Sequence, residues 1–241
     1  PSTPDPANGS IQRDINGVPT GILLEEALKL VESVIPEPTP EDLVKNIQQA
    51  IAGLWRMGLT GAHDFDKRTC FQALQLLRER GDLFFRVVKS IPLELLTHAV
   101  ALGLRTGFGD DFLRIGSVKL FADGALGPHT AAMFESYVDE PQNRGILILD
   151  NEQLFEHACL AAKNGLSLAV HAIGDRAVHE VLEGFTRLRA FEREHNLQSF
   201  RHRIEHVQTI RPEDAGRLAE LDVIASMQPI HATSDYEMAD R

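Results

Sequence analysis

The stretch Leu166-Ser167-Leu168-Ala169-Val170-His171-Ala172-Ile173-Gly174-Asp175 decides how the rest of the chain reads. Apolar residues run almost unbroken into one histidine, then a glycine and an aspartate, and helical spacing takes over from Arg176. A run this apolar fits a strand covered on both faces, as in a parallel sheet flanked by helices. In such α/β architectures chemistry gathers at the C-terminal ends of the strands, where the loops begin. His171 stands at that end, and the question is which other strands bring partners to it.

Working outward, a strand–helix rhythm holds on both sides. Upstream lie strands at Leu59–Asp64, Leu83–Val88 and Phe112–Phe121, with helices at Thr69–Arg80, Leu93–Leu102 and Glu152–Asn164. Downstream come a helix at Ala177–His195, a strand at Arg201–Val207, a helix at Pro212–Glu220 and a strand at Val223–Met227. The strands recur about every 30 residues, which is the repeat of a (β/α)₈ barrel. Strict alternation implies parallel strands with right-handed crossovers. We expect an α/β fold of the TIM-barrel kind in one domain, 1–241, incomplete because six strands are two short of closure. An open doubly wound sheet is the rival, but no Gly-rich phosphate loop follows the first strand.

Residues 1–20 read as a loop and hairpin lead-in. Ile11–Asp14 would be one arm, and Asn16-Gly17 suits a type I′ turn. Gly21–Val34 reads as a helix, with Leu24, Ala27, Leu28 and Val31 at helical spacing. Thr39, Pro40 and Asp42 carry the signs of a capped helix start. Residues 124–151 form an excursion longer than an ordinary strand–helix loop and should cover or line a site. The chain opens Pro1-Ser2-Thr3-Pro4 and stops in a polar run at Arg241, so a piece of a longer protein is expected.

Composition narrows the class. Hydrophobic residues make up 43% and charged residues 24%, as in a soluble globular protein. A net charge of -11 argues against a nucleic-acid partner. Two cysteines, Cys70 and Cys159, cannot build a disulfide framework, and no run is long and apolar enough for a membrane helix. With no signal-peptide pattern, a cytoplasmic location is expected. An unclosed barrel would expose two strand edges, so a homo-oligomer is a further expectation.

Lys119 lies inside the strand Arg114–Phe121, flanked by apolar residues. A lysine at a strand edge can run its stem out to water. On a strand covered on both faces the ammonium must instead be paired, neutralised or modified. Two chemistries then open: a Schiff-base nucleophile, or a metal ligand after carboxylation. His171 alone would be weak, but His206 ends Arg201–His206 one repeat later, so consecutive strands deliver Lys119, His171 and His206 to one rim. Such donors suit zinc, iron or manganese. His231, after the last strand, faces the same rim as a substrate contact or a plain loop histidine. His63-Asp64 ends the first strand, and Asp123 precedes Gly124 as a cap or a ligand orienter. Asp175 reads as an N-cap. His98, His129, His157, His179 and His195 fall on helices or loops and read as surface residues.

At these residues the chain resembles the amidohydrolase 3 family. The resemblance is carried by Ser117-Val118-Lys119-Leu120-Phe121-Ala122-Asp123-Gly124, Val170-His171-Ala172-Ile173-Gly174-Asp175, Arg203-Ile204-Glu205-His206 and Gln228-Pro229-Ile230-His231. Asn16–Leu23 and Gly58–Asp64 extend it over nearly the whole chain. It implies a metal-dependent hydrolase of C–N bonds other than peptide bonds, acting on a small amide or formamide through metal-activated water. It also implies a carboxylated Lys119 bridging divalent metals, zinc above all, with His171 and His206 as ligands; His231, Asp123 and His63 are expected near the substrate from their places at the strand ends. The family's strand-1 His-x-His pair and strand-8 aspartate have no counterpart in this chain. An inactive polypeptide is therefore expected here, and a metal-free Lys119 enzyme or a non-catalytic scaffold remains the alternative.

Overall fold

The computed structural model of the protein describes residues 3–6, 9–32 and 34–235. Two sheets form. The smaller pairs β1 (Gly9–Arg13) with β2 (Pro19–Glu25) antiparallel. The larger joins β3 (Gly61–Asp64), β4 (Arg86–Pro92), β5 (Leu113–Phe121), β6 (Leu168–Ala172), β7 (Arg203–His206) and β8 (Ile224–Ser226) in that order. Every pair in it is parallel. The six strands curl into an incomplete barrel flanked by helices, with the α/β alternation and strand count read from the sequence.

Alternation along the strands separates two faces. Val118 and Leu120 of β5 and Ala122 just after it, Leu168, Val170 and Ala172 of β6, and Ile204 of β7 are fully buried. They form one core with helices α5 (Asn151–Lys163) and α6 (Asp175–Glu194), including Leu154, Leu182, Phe185 and Leu188. Each of the valine, leucine, isoleucine and phenylalanine side chains contributes about 1.5–3 kcal/mol through removal from water. A second cluster, with Val44, Ile51, Leu74, Leu77 and Phe85, sits under α2 (Pro40–Arg56) and α3 (Arg68–Glu79). The opposite face of the sheet holds Lys119 and Phe121, and Phe121 is half exposed. Among the described residues no helix is long and apolar enough to cross a membrane.

Three local expectations need correction. Gly21–Val34 is not one helix: β2 occupies its first part, a 3₁₀ turn follows at Glu26–Leu28, and α1 spans only Lys29–Glu32. Pairing with β1 overrides the helical spacing, because the turn at Asp14–Val18 brings the two segments edge to edge. That turn is not type I′ either. Gly17 has φ +78° while Asn16 is not left-handed, and Asp14 Oδ1 accepts from the N–H groups of Asn16 and Val18, both at 2.9 Å. This is a longer loop that uses Gly17 as its single left-handed residue. Asp175 is not the N-cap of α6. Gly174 holds that position, and Asp175 Oδ1 accepts from Phe134 N–H at 3.0 Å. The capping box at Thr39 and Asp42 forms as expected.

The remaining helices, α4 (Leu96–Ala101), α7 (Pro212–Glu220) and α8 (His231–Ser234), are short. The excursion after β5 has no helix or named strand of its own. Backbone bonds pin it across the ends of β5 and β6: Ile148 N–H to Ala122 carbonyl (2.8 Å), and Arg176 N–H to Ala132 carbonyl (3.1 Å).

Candidate metal centre

β5, β6 and β7 are neighbours, and their register sets Phe121 beside His171 and His171 beside Glu205. By strict alternation Lys119, His171 and Glu205 share the inner face while His206 would point away. The backbone reverses this. His206 has φ +78° and Val207 φ +47°, left-handed values that a β-branched valine adopts rarely. The turn brings the imidazole of His206 to 4.7 Å, centroid to centroid, from that of His171. Strain of this kind costs of order 1–3 kcal/mol and gathers at functional sites.

The two imidazoles each spend one nitrogen on a fixed partner. His171 Nε2 lies 2.7 Å from the Gly124 carbonyl, which can only accept, so Nε2 carries the proton and Nδ1 keeps its lone pair. His206 Nδ1 lies 2.8 Å from Gln228 Oε1, which leaves Nε2 as its lone pair. Burial pulls His171 down to about 4, against the Gly124 hydrogen bond and helped by the charges of His206 and Lys119. Burial likewise lowers His206, against its bond to Gln228. Both rings are thus neutral donors at pH 7.

Lys119 is 6% exposed. Its Nζ donates to the Leu120 carbonyl at 2.9 Å and sits 3.9 Å from the Phe121 ring centroid and 5.3 Å from that of Phe65. Among the described residues it makes no salt bridge. Burial pulls it down to about 8, while the Glu205 charge resists. Glu205 is itself engaged bidentately by Arg203, at 2.8 and 3.0 Å, so little of its charge is free for Lys119. A buried amine close to neutrality and two neutral imidazoles on adjacent strands form a donor set that fits a divalent transition metal.

The other sequence candidates divide. His231 lines a cavity of about 280 Å³ together with His206, Gln208, Thr209 and Gln228. Its Nδ1 is 2.5 Å from Asp235 Oδ2, an orienting pair the sequence reading missed. Asp123 is not placed as a substrate contact. Its carboxylate is fully enclosed, and Oδ1 takes the N–H of Ile173 (3.0 Å) while Oδ2 takes those of Ala132 (2.9 Å) and Gly174 (2.8 Å). Burial still raises it to about 6 against these bonds. His63 turns to Arg203, whose Nη1 lies 2.8 Å from its Nε2, rather than to the pair of imidazoles. His179, read as surface, is half-buried and meets Asp214 at 3.1 Å and Arg211 at 2.9 Å between α6 and α7.

One other group has metal-like composition: Asp64, Asp66 and Cys70, with ligand atoms within 4.8 Å of one another. It is already served by a cation. Lys89 Nζ bonds Asp64 Oδ2 at 2.6 Å and also the Asp66 carbonyl. Burial and the two carboxylates push the Cys70 thiol up to about 11, so it stays protonated.

Arg203 and Glu205 were legible in principle, since Arg203-x-Glu205 places both on the face of the sheet that carries His171. The Gly124 carbonyl and the left-handed turn at His206 leave no side-chain signature in the sequence.

Comparison with known proteins finds relatives along nearly the whole chain. The chain is 32% identical to an uncharacterized metal-dependent hydrolase from Pyrococcus horikoshii OT3, with a TM-score of 0.79 over 95% of this chain and 45% of that one. Protein LONG AFTER FAR-RED 3 of Arabidopsis thaliana is 31% identical over 98% of this chain and 42% of its own length. N-substituted formamide deformylase of Arthrobacter pascens is 25% identical over 92% of this chain and 42% of its own. The chain thus spans less than half the length of these relatives. The amidohydrolase family model matches residues 1–241, and the chain belongs to that family.

Proposed function

We propose that the chain carries one side of the site of a metal-dependent hydrolase that cleaves a C–N bond other than a peptide bond in a small amide or formamide. Lys119, through its carbamate, with His171 Nδ1 and His206 Nε2 would hold a divalent metal, zinc being the first choice for this donor set. When bound, such a metal polarises a carbonyl and lowers the pKa of water toward about 7. The observation that carries the reading is the pair of imidazoles 4.7 Å apart, each with one nitrogen engaged elsewhere, beside an unpaired buried lysine.

The chain's own residues prepare the site. Burial lowers Lys119 to about 8, so a minor fraction of its amine is neutral at pH 7 and can add carbon dioxide; an N–C bond forms, one proton leaves, and a carbamate results. Gly124 and Gln228 fix the ring orientations. His231, oriented by Asp235, would meet the substrate in the cavity beside His206 and can donate to a developing oxyanion. We infer a cytoplasmic protein whose partner is a small molecule, not nucleic acid, with homo-association through the edges of β3 and β8. The 241-residue chain alone should turn over amides weakly or not at all.

Metal analysis after zinc loading, coupled to a panel of formamides and simple amides, tests this. At most partial zinc uptake by the chain, lost in Lys119→Met and His171→Asn, is the expected result. Amide turnover by the longer protein that survives exhaustive chelation would sink it. The same near-neutral amine also favours a Schiff-base reading, and borohydride trapping of a carbonyl substrate on Lys119 would support that one instead.

A further inference from the structure

Asp123 is polar and fully enclosed, and its Oδ1 lies 3.5 Å from His171 Nε2. Its two oxygens gather three backbone N–H groups from separate segments: Ala132 of the excursion, and Ile173 and Gly174 at the turn from β6 into α6. The next residue, Gly124, gives its carbonyl to His171 Nε2. The corner is tight: a Cβ on Gly124 would lie 2.1 Å from Thr130 Oγ1, and one on Gly174 would lie 2.0 Å from the Ala132 carbonyl.

We propose that Asp123 is a positioning residue that clasps the excursion to the end of β6, so that the Gly124 carbonyl meets His171 and holds its ring in the Nε2–H tautomer. The functional meaning of this clasp rests on the metal reading above; the clasp itself does not.

The chemistry permits little substitution. Three converging N–H donors need a group that only accepts. Asparagine keeps the shape but must turn its NH₂ onto at least one of those donors. Glutamate adds a methylene where the side chain has no exposed surface to grow into.

The test uses the ¹⁵N-labelled chain without added metal. Two-bond ¹H–¹⁵N spectra, assigned by the loss of signals in His171→Asn, should show His171 as a single Nε2–H tautomer. In Asp123→Asn the pattern should become mixed, and zinc affinity, read by competition with a chromophoric chelator, should fall about 10–100-fold. Tyr137→Phe removes a different bond of the same excursion, from Tyr137 Oη to the Ala131 carbonyl, and should leave both readouts unchanged. A folded Asp123→Asn with an unchanged tautomer overturns the proposal. If the wild-type chain takes no zinc but its tautomer still responds to Asp123→Asn, the metal reading fails and the clasp stands. Should Asp123→Asn not fold, hydrogen exchange on the wild type decides: slow exchange at Ala132, Ile173 and Gly174 supports the clasp, and fast exchange at these three or a mixed tautomer overturns it.

Discussion

Lys89 and Lys119 are both buried lysines, on the adjacent strands β4 and β5, with 5% and 6% exposure. Their surroundings differ in one respect. Lys89 has a carboxylate at 2.6 Å, from Asp64 on the next strand. Lys119 has a carbonyl, two aromatic rings and no ion pair among the described residues. A paired buried charge is a structural element; an unpaired one gives up part of its charge and becomes available for chemistry. Burial alone therefore does not mark a functional lysine. The missing partner does.

The largest effect that would sharpen this contrast is at Lys89. Lys89→Met leaves Asp64 with a half-buried, unmatched charge and should cost about 3–5 kcal/mol, read from the urea midpoint at constant m. A loss under about 1 kcal/mol would break the distinction. Lys119→Met removes an unpaired ammonium and should leave stability within about 1 kcal/mol of wild type, or raise it, while zinc uptake disappears.

Between these lies a pH effect. In the folded chain Lys119 titrates at about 8, below the ordinary lysine value of 10.5. Between these values the unfolded chain binds more protons than the folded one, so stability should rise as pH rises from about 8 toward 10.5. Lys119→Met should remove that slope and Lys89→Met should not, with denaturant midpoints at several pH values as the measurement. On the acid side His171, held to about 4, acts in the same sense. The unfolded chain takes up its proton first, so stability is lost as pH falls from about 6.5 toward 4. The smallest effect concerns Phe121, whose ring lies under the Lys119 ammonium. Phe121→Leu removes a cation–π contact of about 0.5–2 kcal/mol that favours the charged amine, so Lys119 should titrate slightly lower still.

Much of the sheet was legible because the apolar run of β6 marks a covered strand and the other strands recur from it about every 30 residues. Lys119 and His171 stood out as polar residues interrupting or ending apolar stretches, and His206 as the histidine ending the next strand one repeat later. What the sequence concealed has physical causes. Strand parity alone would turn His206 outward, and only its left-handed backbone returns it. The β2 strand carries helical spacing, and its pairing with β1 is a tertiary fact. Lys89 looks no different from any strand lysine until Asp64 is placed beside it. Asp123 looks like a site residue and is one only through the backbone it gathers.

The excursion between β5 and β6 has a consequence for how the chain can be divided. Phe121 and His171 are neighbours across a long connection, but closing such a loop costs only about 0.6 kcal/mol more than closing one half its length. Its connectivity is therefore a minor part of what holds it. The bonds from Ile148 to Ala122, from Ala132 to Asp123 and from Phe134 to Asp175 hold it at points on either side of the exposed tip near Val138. A chain nicked at that tip would keep both strands in register and both segments seated. The tip is thus the natural seam at which this half-barrel could be made from two pieces that find each other again.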